Sequence, residues 1–410
     1  MKNASMNRLH YMDNLRALAM LLGIFFHAAL AYNPMMHNIW LSASKEQAVS
    51  LEVVAWFTHL FRMPLFFIIS GFFAHLLMQR RGLDGFLRNR LKRIFLPFMI
   101  FLPMLTLTTM AIVGWGMSTF PNLPPVMDAI RHMQNQPDAS RPPLSTMHLW
   151  FLFNLMLFCL VSAVFKWLDL FSKRWVQVVL RPSVLLFMLP CLLVPALLSV
   201  PMPHPAPEKI YPQLWSFGFN GIFFLIGILL YQQQQVIDAL RKYVWVLITF
   251  SLIGYAFFYH ALPKNIPLVP LGAEMAHLPI NAQRLFLTAI EAYVSVWMSL
   301  ACLVLGKRLL NRSNRHMRYI SDASYWVYII HLPVVFIIQF HLLRVEWGAW
   351  IEFSITSLLT LIIGFISYTL FVRSTPIGLL LNGKTYRFGF RLGKLEQTPH
   401  PEMSPNNGCP

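Results

Sequence analysis

The first long apolar run of the chain, residues 13–33, reads DNLRALAMLLGIFFHAALAYN. It is long enough to cross a bilayer, because a spanning helix needs roughly 20 predominantly apolar residues. A secretory signal peptide would end in a small-residue cleavage site, whereas this run has none and carries Arg16 and His27. The sequence therefore predicts that the run persists as the first membrane-spanning helix.

The composition of the whole chain favours a membrane protein. Of the 410 residues, 57% are hydrophobic and only 12% are charged, whereas soluble domains carry about 25% charged residues. Apolar runs bounded by charged residues or Pro predict an all-α polytopic membrane protein with about ten transmembrane helices. Their approximate limits are 14–33, 52–78, 94–117, 148–168, 183–200, 214–231, 244–262, 284–305, 320–342 and 349–372.

The basic residues fall mainly in alternate loops. The net charge of +17 would suggest nucleic acid as a partner in a soluble protein. Here the segments 1–13, 79–93, 166–182, 232–243, 306–319 and 373–394 hold 24 of the 33 Lys and Arg, and the intervening loops hold 7. Because Lys and Arg accumulate in cytoplasmic loops, both termini are predicted to be cytoplasmic, and no nucleic-acid partner is expected. We expect one integral-membrane domain at 1–394 and a disordered cytoplasmic tail at 395–410.

Ionisable residues inside the predicted spans are the candidate functional residues, since each costs at least about 2.5 kcal/mol at membrane depth. Arg16 and His27 are eleven positions apart, so they lie on one helical face about 16.5 Å apart along the axis. Asp13, one turn before Arg16, is a candidate partner for it. The alternative is an interfacial Arg that reaches the headgroups and a His that bonds to a neighbouring helix.

The second span contains His59 and Arg62, which are adjacent on one helical face, followed by Ser70 and Gly71. Small residues such as Ser70 and Gly71 also serve close helix packing. The loop at 79–93 contains six Lys or Arg, Arg90 and Arg93 among them, and is dense enough to hold a phosphorylated cofactor or anionic lipid. Topology alone would also explain this cluster.

Three later spans contribute further candidates. His148 and Trp150 open the fourth span, Glu291 lies in the middle of the eighth, and His331 lies midway along the ninth. Arg284, seven residues before Glu291 on the same face, is its candidate partner. Each of these residues is individually compatible with a structural hydrogen bond, whereas their convergence on one cavity would indicate function.

The absence of other motifs narrows the chemistry. The sequence contains no phosphate-binding loop, dinucleotide fingerprint or zinc-binding His and Cys spacing. Three of the four cysteines lie in apolar runs and the fourth lies in the tail, so no disulfide is expected. We expect neither a metal site nor a tightly bound cofactor.

Three motifs together resemble the membrane-bound acyltransferase family three, whose members acylate sugars and glycans at bacterial envelopes. The first is Asp13-Asn14-Leu15-Arg16 followed by His27, the second is Arg90-Leu91-Lys92-Arg93, and the third is Phe66-Phe67-Ile68-Ile69-Ser70-Gly71-Phe72. Further stretches are similar to members that succinylate osmoregulated periplasmic glucans. They are His59 to Met63, His148 to Leu152, Tyr328 to Pro333 and Pro376 to Lys384.

The resemblance implies a multi-pass protein of the bacterial inner membrane that transfers a succinyl or acetyl group from cytoplasmic acyl-CoA to a glycan hydroxyl. Arg16, Arg90 and Arg93 would hold the donor phosphates, and His27 would act as general base. Arg62 or His331 would stabilise the oxyanion or bind the carboxylate of a succinyl group. Membrane lipids are further expected partners, and the remaining candidates would support the site: Asp13, His59, Ser70, Gly71, His148, Trp150 and Glu291.

Two alternatives remain open from the residues. Buried Arg, His and Glu on many helices also suit a transporter or flippase without acyl-transfer chemistry. A lipid-anchored scaffold for glucan synthesis is the other alternative, although it would leave the buried charges unexplained.

Overall fold

The computed structural model describes residues 10–134, 144–170, 173–268, 279–312 and 314–386. Within these ranges the regular structure is helical, with one isolated antiparallel bridge between Ser145 and Lys209. The α-helices are α1 (His10–Leu30), α2 (Val49–Arg90), α3 (Leu96–Thr119), α4 (Pro125–Gln134), α5 (Trp150–Trp167), α6 (Lys173–Val179), α7 (Leu189–Leu198), α8 (Leu214–Ser216), α9 (Ile222–Gln232), α10 (Gln235–Ala239), α11 (Val244–His260), α12 (Ala282–Leu309), α13 (Arg315–Leu342), α14 (Ala349–Ser367) and α15 (Pro376–Asn382). Short 3-10 or π-helical turns occupy Pro34–Met36, Leu91–Phe95, Met147–Leu149, Val184–Met188, Phe217–Gly221, Leu240–Tyr243 and Tyr368–Val372.

The described residues include seven helical segments that are long and apolar enough to cross a membrane. They are His10–Leu30, Val49–Thr119, Met147–Trp167, Leu214–Gln232, Ala282–Leu309, Arg315–Leu342 and Ala349–Val372. The predicted all-α membrane class is confirmed. Each of the ten predicted runs overlaps a helix, but the number ten itself stays a prediction.

One of these segments, Val49–Thr119, is 71 residues long. At 1.5 Å per residue it would extend over about 107 Å, more than three times the hydrocarbon thickness of a bilayer. It contains the predicted spans 52–78 and 94–117 and the basic connection between them. The backbone leaves the helix inside this connection at Gly82, with φ 67° and ψ −178°.

Large apolar side chains cover the outside of the bundle. Leu107 on α3 is 68% exposed, Phe257 on α11 is 64% exposed and Ile351 on α14 is 55% exposed. A soluble monomer would not present such surfaces to water, whereas lipid tails match them. The chain is a multi-pass membrane protein.

The helix α1 lies between α2 and α13, and α2 packs along α9. The contact between α2 and α9 depends on two glycines that face the partner backbone. A Cβ added to Gly71 would lie 1.9 Å from the carbonyl oxygen of Phe224, and one added to Gly227 would lie 1.9 Å from that of Ile68. Gly71 therefore holds two helices together, which is the packing role that was its alternative interpretation.

Both described ends of the chain lie at the same end of the bundle, since Arg16 on α1 and Lys384 after α15 line one cavity. The placement of the termini themselves, on one side of the membrane and in the cytoplasm, stays a prediction. The predicted domain boundary at 394 and the predicted tail at 395–410 lie outside the described residues.

Candidate active site

A cavity of about 320 Å³ opens at the end of the bundle where α1 and α13 begin. Its wall comes from α1, α2, the π-helical turn after α2, α5, α13 and the segment around α15. The lining residues are Arg16, Met20, Phe66, Ser70, Phe73, Arg90, Arg93, Ile94, Phe151, Leu152, Leu155, Ser321, Asp322, Ser324, Tyr325, Leu381, Asn382 and Lys384. The cavity thus joins the three predicted donor arginines to an apolar interior.

Arg16, Arg90 and Arg93 all line this cavity. The Arg16 Nη2 atom lies 3.5 Å from a carboxylate oxygen of Asp13, as its spacing predicts, and 3.3 Å from Ser321 Oγ. Its side chain keeps 35% exposure, so it is still accessible to an anion. Arg93 belongs to the π-helical turn Leu91–Phe95, a type of distortion that is frequent at functional sites.

Ser70 and Gly71 serve different purposes although they are neighbours. Ser70 lines the cavity, whereas Gly71 faces α9. The apolar part of the cavity wall includes Phe66 and Phe151, whose ring centroids are 4.4 Å apart in an edge-to-face contact. A thin, largely uncharged chain would fit this part of the cavity better than a nucleotide would.

His27 and His331 meet across the interface of α1 and α13. The His27 Nδ1 atom is 2.8 Å from His331 Nε2, and the other ring nitrogen of His331 is 2.6 Å from the carbonyl oxygen of Tyr328. His331 is 2% exposed, while His27 is half-buried. The two imidazoles therefore form a dyad with one member accessible.

The hydrogen bonds of the dyad fix its protons. A carbonyl oxygen can only accept, so when both rings are neutral His331 carries its proton on Nδ1 and its Nε2 accepts from His27 Nδ1. The Nε2 atom of His27 is then left with a free lone pair. This is the arrangement of an oriented general base, in which a second group holds the imidazole in one tautomer.

His148 completes a group of three imidazoles. Its Nε2 atom donates to the carbonyl oxygen of Ile329 at 2.9 Å, and its ring lies edge-on to that of His331 with centroids 5.1 Å apart. Tyr328 donates from its hydroxyl to the His148 carbonyl oxygen at 2.6 Å. Trp150 lies beside this group, against Phe67 and Phe151.

Tyr328 connects the cavity with the dyad. Its ring centroid is 6.3 Å from that of Phe151 in the cavity wall and 6.0 Å from that of His331. The apolar wall of the cavity and the candidate base are therefore separated by about one aromatic ring.

Arg62 is a buried cation near the dyad. It is 6% exposed, and its guanidinium lies over the ring of Phe26, with 4.4 Å between its carbon and the ring centroid. The Phe26 ring also contacts His27 edge-on at 5.4 Å. Among the described residues, the buried Nη1 atom of Arg62 has no hydrogen-bond partner. A buried guanidinium nitrogen without a partner is costly, so this position suits an anionic group of a substrate.

His59 and Glu291 belong to a second polar cluster, which is built around His204. The Nδ1 atom and the backbone nitrogen of His204 lie 2.8 Å and 2.9 Å from one carboxylate oxygen of Glu291. His59 donates from Nε2 to the His204 carbonyl oxygen at 2.8 Å and stacks on Phe26 at 5.1 Å. The cluster thus packs against Phe26, the ring that also contacts His27.

The expected pairing of Glu291 with Arg284 is wrong. Seven residues put the two on one face but about 10.5 Å apart along the axis, and Arg284 instead donates to the carbonyl oxygens of Leu198 and Val200 at 2.9 and 3.1 Å. Arg284 lies near the start of α12, which packs next to the end of α7. His204 was not predicted as a site residue, because it lies in a Pro-rich connection in which neither hydropathy nor a known motif indicates a function.

The connection between α1 and α2 covers His27 from the end opposite the cavity. The ring of Trp40 lies nearly parallel to that of His27, at an angle of 10° and a centroid distance of 6.3 Å. Gln339 accepts from Trp40 Nε1 at 3.1 Å and from Ser42 Oγ at 2.6 Å, and donates to the Ala28 carbonyl oxygen at 3.0 Å. Neither Trp40 nor Gln339 was a sequence candidate.

A family model described as an acyltransferase domain, acyltransferase 3, matches residues 9–369. The chain belongs to the acyltransferase 3 family. The enzyme is therefore an acyltransferase, and the resemblance seen in its motifs is confirmed. Neither the transporter nor the scaffold interpretation is needed.

The acyltransferase is also similar to curated proteins named "Glucans biosynthesis protein C". The relative from Salmonella paratyphi B (strain ATCC BAA-1250 / SPB7) is 27% identical over 386 residues, which cover 89% of each chain. The relative from Salmonella schwarzengrund (strain CVM19633) is 28% identical over the same length and coverage. No solved structure matches the chain.

Proposed function

We propose that this acyltransferase takes an acyl group from acyl-CoA at the cytoplasmic face of the bacterial inner membrane and transfers it to a hydroxyl of a periplasmic glycan. The observation that carries the proposal is the His27–His331 hydrogen bond, which leaves a lone pair on an accessible imidazole. An acceptor hydroxyl needs such a base to become a nucleophile. The name of the relatives supports a glucan as the acceptor.

The donor would occupy the cavity at the basic end of the bundle. Arg16, Arg90 and Arg93 offer charge-assisted hydrogen bonds to the nucleotide phosphates. The apolar wall with Phe66 and Phe151 suits the pantetheine arm, which carries no charge. This arrangement delivers the thioester toward Tyr328 and the dyad, while the charged nucleotide stays at the mouth.

The chemistry requires one proton to move twice. The acceptor hydroxyl gives its proton to His27 Nε2 while its oxygen attacks the thioester carbonyl. The carbon–sulfur bond then breaks, and the leaving thiolate of CoA takes the proton from His27. His331 accepts from His27 throughout, so the charge that forms on His27 is shared with an aligned neighbour.

Arg62 supports an acyl group with a negative end, as in succinyl-CoA. Its buried guanidinium has a nitrogen without a hydrogen-bond partner among the described residues, and a carboxylate would complete it. We expect a higher kcat/KM with succinyl-CoA than with acetyl-CoA. Arg62→Gln should remove most of this preference, and an unchanged preference would assign Arg62 to structure.

The test of the proposal uses purified protein in lipid nanodiscs with labelled succinyl-CoA and acetyl-CoA and a glucan acceptor. His27→Ala should lower acyl transfer by a factor of at least about 10² while CoA binding persists. His341→Ala is the matched control, because His341 is an exposed histidine on α13, and it should keep full activity. Acyl transfer by His27→Ala at the wild-type rate would refute the role of this base.

The acceptor is identified by mass spectrometry of envelope glycans from cells with and without the protein. A mass shift of a succinyl group on periplasmic glucan is expected. A shift on another glycan would change the acceptor, and an unaltered set of glycans would contradict the proposal.

A further inference from the structure

The family model ends at residue 369, yet the described chain continues across the basic end of the bundle. After the last predicted span, α15 packs with Leu381 buried at 4% exposure. Asn382 donates from its side chain to the Asp322 carbonyl oxygen at 2.8 Å, and the Tyr386 nitrogen donates to the Arg373 carbonyl oxygen at 3.1 Å. We name residues 376–386 the closing segment, because they form one wall of the donor cavity.

The closing segment touches the guanidinium of Arg93 through its backbone. Gly383 has φ 68° and ψ 22°, the left-handed region that favours glycine. A Cβ added there would lie 1.2 Å from Arg93 Nη2. The bare backbone of Gly383 therefore sets where the tip of Arg93 can lie in the cavity.

The closing segment also adds a cation to the cavity. Lys384 lines it together with Arg16, Arg90 and Arg93, and the only acidic residue among the described lining residues is Asp322. Lys384 Nζ lies 2.9 Å from Asp322 Oδ2, and the Tyr386 hydroxyl donates to the same oxygen at 2.7 Å. Lys384 is 33% exposed and Asp322 is 14% exposed, so both are accessible from the cavity.

We propose that the closing segment is part of the donor-binding site, in which Lys384 and the Arg93 positioned by Gly383 bind the phosphate groups of acyl-CoA. This inference rests on the proposed function, since it takes acyl-CoA as the donor. Asp322 holds Lys384 while no phosphate is present, and a phosphate competes with Asp322 for the same ammonium group. The carboxylate therefore opposes binding of the donor, whereas the lysine promotes it.

Because Lys384 and Asp322 should have opposite effects on donor affinity, the first test measures the Kd of succinyl-CoA for variants of each residue in phosphatidylcholine nanodiscs. Lys384→Gln should weaken binding about tenfold, because a charge-assisted hydrogen bond is lost. Asp322→Asn should tighten it by about threefold, because a negative charge leaves the cavity. If the ion pair only braced the fold, both variants would weaken binding together, and that result would overturn the inference.

Gly383→Ala gives the second test, because its added methyl group displaces the flexible tip of Arg93. It should weaken donor binding about tenfold. Gly348→Ala is the control for backbone strain, since Gly348 also has positive φ, at 90°, but no atom lies within 4 Å of its added Cβ. Gly348→Ala should keep the donor affinity of the wild type, and equal losses in both variants would contradict the role of Gly383.

Two further measurements are needed. One distinguishes a nucleotide phosphate from a lipid phosphate as the ligand, and the other distinguishes failure of this inference from failure of the proposed function. Adenosine 3′,5′-bisphosphate should compete with succinyl-CoA in the wild type and compete less well in Lys384→Gln. If phosphatidylglycerol in the nanodisc competes instead and the nucleotide does not, the segment binds lipid and the inference fails.

If the wild type binds no acyl-CoA, the proposed function fails. If it binds and transfers normally but all three variants match it, only the inference fails.

Discussion

At the scale of single residues, the proposed base chemistry depends on a hydrogen-bonded pair whose members are 304 positions apart in sequence. Each partner is of limited use alone: His27 would lose its fixed tautomer without His331, and His331 is too buried, at 2% exposure, to meet a substrate. We therefore expect the pair to act as one unit.

A double-mutant cycle tests this unit. His331→Ala should lower kcat by a factor of about 10 or more while the Kd of acyl-CoA is retained, since the cavity does not include His331. His27→Ala combined with His331→Ala should be hardly worse than His27→Ala alone, because residues that act together are not additive. Losses that multiply would mean that the two histidines work independently.

Helix geometry explains which site residues the sequence could predict. Arg16 and His27 are both on α1, and their spacing of eleven residues is enough to predict that they share one helical face. The 2.8 Å bond between His27 and His331 depends on how α1 meets α13, which no local pattern contains. His204 and Gln339 have hydrogen-bond partners that lie 87 and 311 positions away, so no local sequence pattern indicates their role.

At the scale of elements, α2 carries two kinds of contact on neighbouring residues. Ser70 faces the cavity, and Gly71 faces the backbone of α9. The motif in residues 66–72 thus combines a site residue with the close helix approach that positions it.

Gly71→Ala and Gly227→Ala should each lower the thermal midpoint of the purified protein by several degrees or prevent its folding. The added methyl group meets a carbonyl oxygen at 1.9 Å in both cases, so the helices must separate. Gly114→Ala on α3 is the matched control, because no atom lies within 4 Å of its added Cβ. The control should unfold at or above the wild-type midpoint, and equal behaviour of all three would argue against the close contact.

The connection that carries Trp40 should matter for turnover more than for binding of the donor. Gln339→Leu leaves the Trp40 nitrogen and the buried Ser42 hydroxyl without their acceptor, and the ring over His27 loses its anchor. We expect kcat to fall about tenfold with the Kd of acyl-CoA unchanged.

Ser50→Ala is the control for that variant, since it removes the partner of another indole nitrogen, that of the exposed Trp350. It should leave kcat as it is. A loss of donor affinity in Gln339→Leu would instead mean that the whole bundle has shifted.

At the scale of the whole molecule, the arginine-lined cavity lies at the end of the bundle where a basic loop is found. The basic segment 79–93 contributes Arg90 and Arg93 to the cavity, and Ser321, two residues after the basic segment 306–319, also lines it. The dyad is toward the other end of α1. The sequence predicted which end of the bundle is basic, because Lys and Arg can be counted loop by loop without knowledge of the helix packing. It could not predict the cavity, whose wall depends on packing between distant helices.

Sidedness can be measured by labelling of single cysteines with a membrane-impermeant maleimide, in a background without the four native cysteines. Lys45→Cys, in the exposed part of the connection before α2, should react in intact cells with a permeable outer membrane. Arg88→Cys should react only after the inner membrane is opened. The reverse pattern would invert the topology and place the arginine-lined cavity on the periplasmic side.

The makeup of the cavity lined by Arg16, Arg90 and Arg93 has a consequence for biogenesis. Its wall joins Arg16, from the first helix, to Lys384, beyond the last predicted span, so neither an early nor a late part of the chain contains it alone. A nascent chain that has inserted its first helices still lacks the walls that α13 and α15 supply. The cavity is therefore completed only once α15 has been made, after all the earlier described helices.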